Sequence, residues 1–222
     1  MKVLIFDTET TGLPQSYNTP LHETSKWPHI LQLSFILYNH ESKQVEDYID
    51  HIIKIGDNVI ISPESMAIHK ITYDDCRTKG IPIEQALSAF EESFKNADIL
   101  IGHNIMFDKQ MLTVEMNRNQ IPNLFHTNRT KFVSEYCTMK HTTNLCAIPI
   151  TNKKTGRTYN KYPKLSELHE YLFQTTPVGT HNAMTDVLIC LRCYIKLEYD
   201  TDLAIDPHTQ PALRSLITSC GS

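Results

Sequence analysis

The N-terminal segment of the chain is a short apolar run that ends on two carboxylates. Residues 3–6 are Val, Leu, Ile and Phe, and Asp7 and Glu9 follow with one residue between them. An apolar run of this length, bounded by a loop rich in threonine and glycine, is typical of a buried β-strand. Side chains alternate along a strand, so Asp7 and Glu9 leave the same face. Two carboxylates on one face repel each other unless a cation or a proton lies between them, and the pair therefore predicts a metal site.

The order of the predicted elements indicates a mixed α/β fold. Apolar runs at 30–38 and 44–53 predict two antiparallel strands, and a run at 97–101 predicts a buried parallel strand. Helix-start signals or helical periodicity occur at 62–69, 82–95, 107–118, 165–173 and 183–197. Strands followed by strand–helix alternation predict a mixed sheet with helices on its faces.

Size and composition fit one compact domain. The 222 residues are 41% hydrophobic, and no stretch approaches the roughly 18 apolar residues of a membrane-spanning helix. The chain enters a strand at once, which leaves no room for a signal peptide. We therefore expect a soluble, intracellular, cytoplasmic protein, with a nuclear or viral setting left open. Polar residues and prolines dominate after about residue 199, so we expect a domain over 1–200 and a loosely ordered tail over 201–222.

Charge and cysteine content argue against nucleic-acid binding by bulk positive charge and against a zinc site. The formal net charge of −4 argues against a protein that holds nucleic acid by bulk positive charge, although two bound divalent cations would neutralise it. Cys190 and Cys193 form a C-x-x-C motif, but it lies in an apolar helical stretch without a second pair. We therefore expect buried, reduced thiols rather than a zinc site.

Two further segments extend the acidic set. Asp108 follows a Gly-His-Asn turn and lies in the first turn of a predicted helix, where the helix dipole favours a carboxylate in any protein. His181 and Asp186 lie five residues apart, which is roughly 140° around a helix, so they cannot share a helical face. We therefore place His181 in the preceding loop, accessible as a proton acceptor, and Asp186 inside the helix. Taken singly, each segment is better explained by an ordinary helix start.

Together, in this order, these residues resemble the three motifs of the DnaQ-like exonuclease superfamily, in its DEDDh branch. The first motif is matched by 6–13, the second by 102–108 and the third by 181–186. Residues 136–140 and 162–168 are also similar to segments of bacterial and viral relatives of the polymerase proofreading subunit.

The resemblance implies a fold and a chemistry. The fold would be a ribonuclease H-like mixed sheet with helices on both faces. Asp7, Glu9, Asp108 and Asp186 would hold two Mg²⁺ or Mn²⁺ ions, hard cations that prefer carboxylate oxygen. His181 would accept the proton of the attacking water, and nucleoside 5′-monophosphates would leave from a 3′ end.

The resemblance also implies substrate contacts. The residues concerned are Thr10, Thr11, Gly12, Leu13, His69, Asn104 and Phe107. Residues 10–13 would grip the terminal nucleotide, His69 would lie near the scissile phosphate, and Phe107 would stack near the substrate. Core packing explains Phe107 equally well, and a helix end explains His69. The basic, tyrosine-containing segment 151–164 fits either a strand-guiding loop or a solvated one.

Several functions stay open at this point. The preferred one is a 3′–5′ exonuclease acting on single-stranded DNA ends, with a DNA polymerase as a candidate partner because of the proofreading-subunit likeness. An exoribonuclease is the alternative within the class, since contact to a 2′-hydroxyl decides between the polymers. A nucleic-acid-binding or polymerase-interaction module without activity is disfavoured by the intact set of acids and His181. A plain α/β domain without a site would require the three motifs to occur in this order by coincidence. The oligomeric state is open.

Overall fold

The central element of the main sheet is the N-terminal strand. The computed structural model describes residues 1–125 and 133–221. The main sheet contains β1 (Lys2–Thr10), β2 (Ile30–Asn39), β3 (Gln44–Ile52), β4 (Ile99–Gly102) and β5 (Ser134–Cys137). Their order in the sheet is β3-β2-β1-β4-β5. The strand β2 pairs antiparallel with both β1 and β3, whereas β4 is parallel to β1 and β5 is parallel to β4. A separate hairpin is formed by β6 (Pro149–Thr151) and β7 (Thr158–Asn160).

The helices begin where the sequence offers starting signals. They are α1 (Pro63–His69), α2 (Tyr73–Thr78), α3 (Ile83–Asn96), α4 (Ile105–Arg118), α5 (Thr138–His141), α6 (Thr143–Cys146), α7 (Leu165–Phe173), α8 (Ala183–Tyr199) and α9 (Pro211–Ser219). The Ser62 hydroxyl accepts a hydrogen bond from the Ser65 N–H at the start of α1, where Pro63 is the first helical residue. Within the described residues, no helix is long and apolar enough to cross a membrane.

Helices cover both faces of the main sheet. On one face, Leu4 and Phe6 of β1 pack with residues of α3 and α4, and Phe90 lies 5.1 Å from Phe6 between ring centroids. On the other face, Val3 and Ile5 pack with residues of α7, α8 and α9. Because faces alternate along β1, Asp7 and Glu9 continue the row of Val3 and Ile5 and lie on the α8 face. The predicted mixed sheet with helices on both faces is confirmed.

The first strand is longer than the sequence suggested. We expected it to end at Phe6, whereas β1 continues through Thr10 and keeps its pairing with β2, with a register shift between Glu9 and Thr10. The carboxylates are therefore borne by the strand itself. Sheet pairing fixes their spacing more firmly than a loop could.

The C-terminal segment is packed, which differs from the loosely ordered tail expected over 201–222. Leu203, Leu213 and Ile217 are each at most 2% exposed and lie in the α8-face core. The buried guanidinium of Arg192 holds both carboxylate oxygens of Asp202, at 2.8 and 2.9 Å. The polar composition of this segment gives no sign of its apolar helix face or of its ion pair. Ser222 lies outside the described residues.

Truncating Leu213 tests whether this segment contributes to the fold. Leu213→Ala should lower the free energy of unfolding by about 2–5 kcal/mol, the usual range for a buried leucine. That corresponds to a melting temperature lower by roughly 4–20 °C for a chain of this size. Leu216→Ala is the matched control, because Leu216 is 53% exposed on the same helix. Equal melting temperatures for the two variants would mean that α9 does not pack in solution.

Candidate active site

Three carboxylates from two elements meet at the end of β1. Asp7 and Glu9 extend from β1, and Asp186 lies in the first turn of α8. One carboxylate oxygen from each lies within 4.8 Å of the others. A set of hard oxygen donors at this spacing fits a divalent cation such as Mg²⁺ or Mn²⁺. The predicted pairing of Asp7 with Glu9, and their meeting with Asp186, is what the structure shows.

Asp108 is not one of the three carboxylates that meet within 4.8 Å, although its charge acts on Asp7. Its side chain is 3% exposed in the first turn of α4. The Oδ1 atom accepts hydrogen bonds from the Thr8 backbone N–H at 3.1 Å and from the Thr8 hydroxyl at 2.7 Å. Thr8 faces α4 because it alternates with Asp7 and Glu9 along β1. These bonds fix Asp108 against the strand that carries the other two acids.

His181 lies in the loop before α8, as the angular argument predicted. Its backbone has a left-handed φ of 68°, an uncommon conformation for a residue with a side chain. The His181 N–H donates to Asp186 Oδ2 at 3.1 Å, and the Asn182 side chain accepts from the Thr185 N–H. This loop leaves the imidazole exposed while its backbone is fixed by a candidate metal ligand.

Burial and mutual repulsion favour protonation of the carboxylates. Burial, with the charges of Asp108, Asp186 and Glu9, raises the pKa of Asp7 well above its usual range. Burial and the charge of Asp186 raise the pKa of Glu9 to about 8. Burial raises the pKa of Asp108 to about 7, against the lowering effect of the Thr8 hydrogen bonds, and that of Asp186 to about 6. A bound cation would offset the repulsion among these carboxylates and favour their ionised forms.

This repulsion predicts a pH dependence of stability in the metal-free protein. A carboxyl whose pKa is higher in the folded than in the unfolded state keeps its proton longer in the folded chain. The folded state then binds more protons above about pH 4, so stability falls as pH rises towards the folded pKa values. For Glu9 that window ends near pH 8.

Calorimetry in EDTA at pH 5.5 and 8.0 measures this effect. The wild type should lose about 2–4 kcal/mol between these values, or roughly 4–16 °C in melting temperature. Glu9→Gln should show a clearly smaller loss, because the glutamine carries no charge at either pH. An identical loss in both proteins would contradict the shifted pKa of Glu9.

A cavity of about 450 Å³ opens beside Glu9 and contains most of the predicted substrate contacts. Thr10, Gly12, Leu13, His69 and Phe107 line it. Leu13 is 74% exposed, so its apolar side chain is accessible from the cavity that it lines. The cavity has the apolar and polar lining that a nucleoside requires.

Two of the predicted contacts lie elsewhere. The Thr11 hydroxyl accepts from the His29 N–H at 2.9 Å, and the Thr11 N–H donates to the His29 carbonyl at 2.9 Å, so Thr11 ties this loop to its neighbour. Asn104, in the left-handed conformation at φ 72°, begins α4 and lines a second cavity of about 510 Å³. Asp7 and His181 also line that cavity, so the carboxylates lie between the two openings.

A buried glutamine, which the sequence argument missed, positions α8. Gln32 is 2% exposed and lies directly across from Glu9 in the β1–β2 pair. Its Nε2 donates to Asp50 Oδ1 at 2.7 Å, and its Oε1 accepts from the Ala183 N–H at 3.1 Å. The first turn of α8, which carries Asp186, is therefore bonded to the sheet. In the sequence, the only sign of this role is that Gln32 interrupts the apolar run of β2 with an amide.

Comparison with a family model decides the family. The model of the RNase_T exonucleases matches residues 4–194, most of the chain and all of the site residues. The chain belongs to this exonuclease family. The predicted DnaQ-like resemblance is thereby confirmed, and with it membership of a class of enzymes that cleave nucleic acid.

Solved structures confirm the ribonuclease H-like fold of this exonuclease-family chain. E. coli exonuclease I in complex with a dA16 oligonucleotide matches with a TM-score of 0.65 at 18% identity, over 96% of this chain and 42% of that one. The zinc ion-bound form of an E. coli exonuclease I complex with single-stranded DNA matches with a TM-score of 0.64 at 18% identity, over 96% of this chain and 42% of that one. A further exonuclease I structure matches with a TM-score of 0.67 at 17% identity, over 90% of this chain and 41% of that one. The chain spans about two-fifths of the length of these structures. No curated protein matches it.

Proposed function

We propose that this protein is a metal-dependent 3′–5′ exonuclease that releases nucleoside 5′-monophosphates from single-stranded DNA ends. The observation that carries the proposal is the meeting of Asp7, Glu9 and Asp186 within 4.8 Å, with His181 lining the same cavity as Asp7 and Asp186. Family membership supports phosphodiester cleavage. The DNA-bound state of the E. coli exonuclease I structures favours DNA as the polymer.

The three meeting carboxylates are the proposed metal ligands, with Asp108 as the fourth acid. When bound, two Mg²⁺ or Mn²⁺ ions would supply charge stabilisation to the attacking and leaving oxygens of a phosphodiester. Asp7 and Glu9 are held by the β1–β2 ladder, and Asp186 by the His181 N–H and the Gln32-anchored start of α8. Asp108 stays fixed on Thr8. A site held this firmly needs little rearrangement when substrate binds.

His181 is the proposed general base. Its imidazole is exposed in the loop that borders Asp7 and Asp186, where a water molecule next to the phosphate can reach it. Imidazole accepts protons near neutral pH and its exposure lets it pass the proton to solvent. The backbone bond to Asp186 holds the residue near the phosphate without occupying its ring nitrogens.

The cavity beside Glu9 is the proposed site of the 3′-terminal nucleotide. Leu13 and Phe107 offer apolar surface to a base. His69 Nδ1 accepts from the Ile71 N–H at 3.0 Å, which leaves a proton for Nε2 in the neutral ring. Burial lowers the pKa of His69, and a hydrogen bond to the Thr10 backbone opposes that effect. Because His69 also lines this cavity, its ring N–H is the proposed donor to a phosphate or sugar oxygen of the substrate.

End-labelled oligonucleotides test direction, polymer and metal dependence together. With Mg²⁺ or Mn²⁺, 5′-labelled single-stranded DNA should shorten one nucleotide at a time, and EDTA should stop the reaction. Immediate release of labelled mononucleotide would indicate the opposite polarity and overturn the proposal. Parallel reactions with RNA and with a 3′-mismatched duplex measure the polymer preference; faster cleavage of RNA would make the protein an exoribonuclease. A polymerase partner stays a prediction.

A further inference from the structure

The second cavity links the carboxylates to a part of the chain that the proposed chemistry does not use. Asp7, Asp186 and His181 line this opening of about 510 Å³ together with Tyr162 and Lys164. Tyr162 is 57% exposed. If the terminal nucleotide occupies the cavity beside Glu9, the rest of the strand must leave the carboxylates by another route. The second cavity is such a route.

The segment beyond this cavity is the most strongly cationic part of the sequence. Residues 136–166 contain six lysines and arginines and no aspartate or glutamate, although the whole chain carries −4. Lys153, Lys154 and Arg157 lie at the exposed end of the β6–β7 hairpin. Within the described part of the chain, none of these three forms an ion pair, whereas Lys161 is paired with Glu167 at 2.6 Å. Unpaired cations beside exposed tyrosines suit a single-stranded backbone and its bases.

The hairpin has a defined turn and does not depend on a bound strand for its shape. The Asn152 side chain accepts from the Lys154 and Thr155 N–H groups at 2.9 and 3.1 Å. Gly156 has a φ of 68° and donates to the Asn152 carbonyl at 2.8 Å. These bonds define the backbone of the turn, whose lysine and arginine side chains are exposed to solvent.

The base of the hairpin is tied to the elements that carry the carboxylates. His103, between β4 and α4, places Nε2 3.0 Å from the Pro163 carbonyl and Nδ1 2.9 Å from the Thr138 hydroxyl. Burial lowers the pKa of His103 to about 4, so the ring is neutral and donates through Nε2. The Lys164 N–H donates to Glu167 at 2.7 Å. Residues 162–164 consequently keep a fixed place in the lining of the cavity that Asp7 also lines.

We propose that Tyr162, Lys164 and the hairpin cations Lys153, Lys154 and Arg157 form a single-strand track for the nucleotides on the 5′ side of the scissile phosphate. This inference rests on the proposed function for its direction. Tyr162 stacks on a base next to the cleaved bond, Lys164 meets the phosphate beside it, and the hairpin end meets phosphates farther along. The negative charge of the rest of the protein restricts the strand to this path.

Binding of fluorescein-labelled dT16 to the full chain in EDTA tests the track without hydrolysis. The variant Lys153→Ala/Lys154→Ala/Arg157→Ala should raise Kd about tenfold, and the salt slope should become shallower by about 2, since each lost phosphate contact on a single strand contributes about 0.7. The control Lys54→Ala/Arg77→Ala/Lys95→Ala removes the same charge from exposed positions away from both cavities. Tyr162→Ala should weaken binding roughly 5- to 100-fold through lost stacking, whereas Tyr162→Phe keeps the ring and the affinity.

Hydrolysis of dT2 and dT16 then tests whether the hairpin contacts nucleotides distant from the cleaved bond. The loss of kcat/KM in the hairpin variant should be at least about tenfold greater for dT16 than for dT2, because only the longer strand reaches the hairpin. Kd values equal to those of the control triple variant, or equal losses on both substrates, would overturn the track. Hairpin-dependent binding by a wild-type protein that hydrolyses neither substrate would support the track and contradict the proposed function.

Discussion

Asp7→Asn should reduce hydrolysis of single-stranded DNA by at least about 10³-fold, because ligand loss removes several kcal/mol of transition-state stabilisation. Burial, together with the charges of Asp108, Asp186 and Glu9, raises the pKa of Asp7 well above its usual range. Asparagine keeps the shape of the side chain and loses the negative charge that a cation requires. Initial rates with excess Mg²⁺ measure the effect.

Folding provides the control for this result. Removing one of several repelling charges relieves the metal-free site, so Asp7→Asn should melt in EDTA no lower than the wild type. Glu46→Gln is the matched variant, because Glu46 is a carboxylate on β3 whose 2.6 Å ion pair with Lys2 lies on the surface. It should retain activity. An Asp7→Asn protein that folds and cleaves at the wild-type rate would contradict the assignment of this carboxylate.

His181→Ala should lower the rate by roughly 10²–10⁴-fold, the usual contribution of a general base. The imidazole lies beside Asp7 and Asp186 in the second cavity, whereas its backbone N–H is what contacts Asp186. Alanine keeps that N–H, so the variant should bind metal as the wild type does. Rates at saturating Mn²⁺, together with the thermal shift caused by Mn²⁺, separate the two roles.

The outcome distinguishes a base from a ligand. If Mn²⁺ no longer stabilised His181→Ala, the imidazole would be a metal ligand and its assignment as base would be wrong. His22→Ala serves as the matched control, because His22 is exposed in a loop that lines neither cavity. It should change neither the rate nor the response to metal.

The parts of the site that the sequence predicted are those governed by local periodicity. The two-residue period of a strand places Asp7 and Glu9 on one face, and the helical angle separates His181 from Asp186. Hydrogen bonds between residues of different helices and strands were not predictable in this way. The two hydrogen bonds that Thr8 donates to Asp108 depend on how α4 packs against β1.

Long-range contacts explain the remaining differences. Gln32 appeared as one amide in an apolar strand, and only the fold shows that it bonds the first turn of α8. The segment after 200 was judged by its polar composition. Its order comes from Leu213 and Ile217, four residues apart on one helix face, and from the ion pair between Asp202 and Arg192. The four-residue spacing of Leu213 and Ile217 could have predicted an apolar helix face. Nothing in the sequence indicated that Asp202 would pair with Arg192.

Scanning calorimetry of the metal-free protein with and without Mn²⁺ tests most directly whether Asp7, Glu9, Asp108 and Asp186 form a metal centre. At a Mn²⁺ concentration about 100 times Kd, binding should add about 2.7 kcal/mol to the free energy of unfolding, or roughly 5–11 °C in melting temperature. Asp7→Asn should lose most of this shift, and Glu46→Gln should keep it. A wild-type melting temperature unchanged by saturating Mn²⁺ would contradict the metal centre and the mechanism built on it.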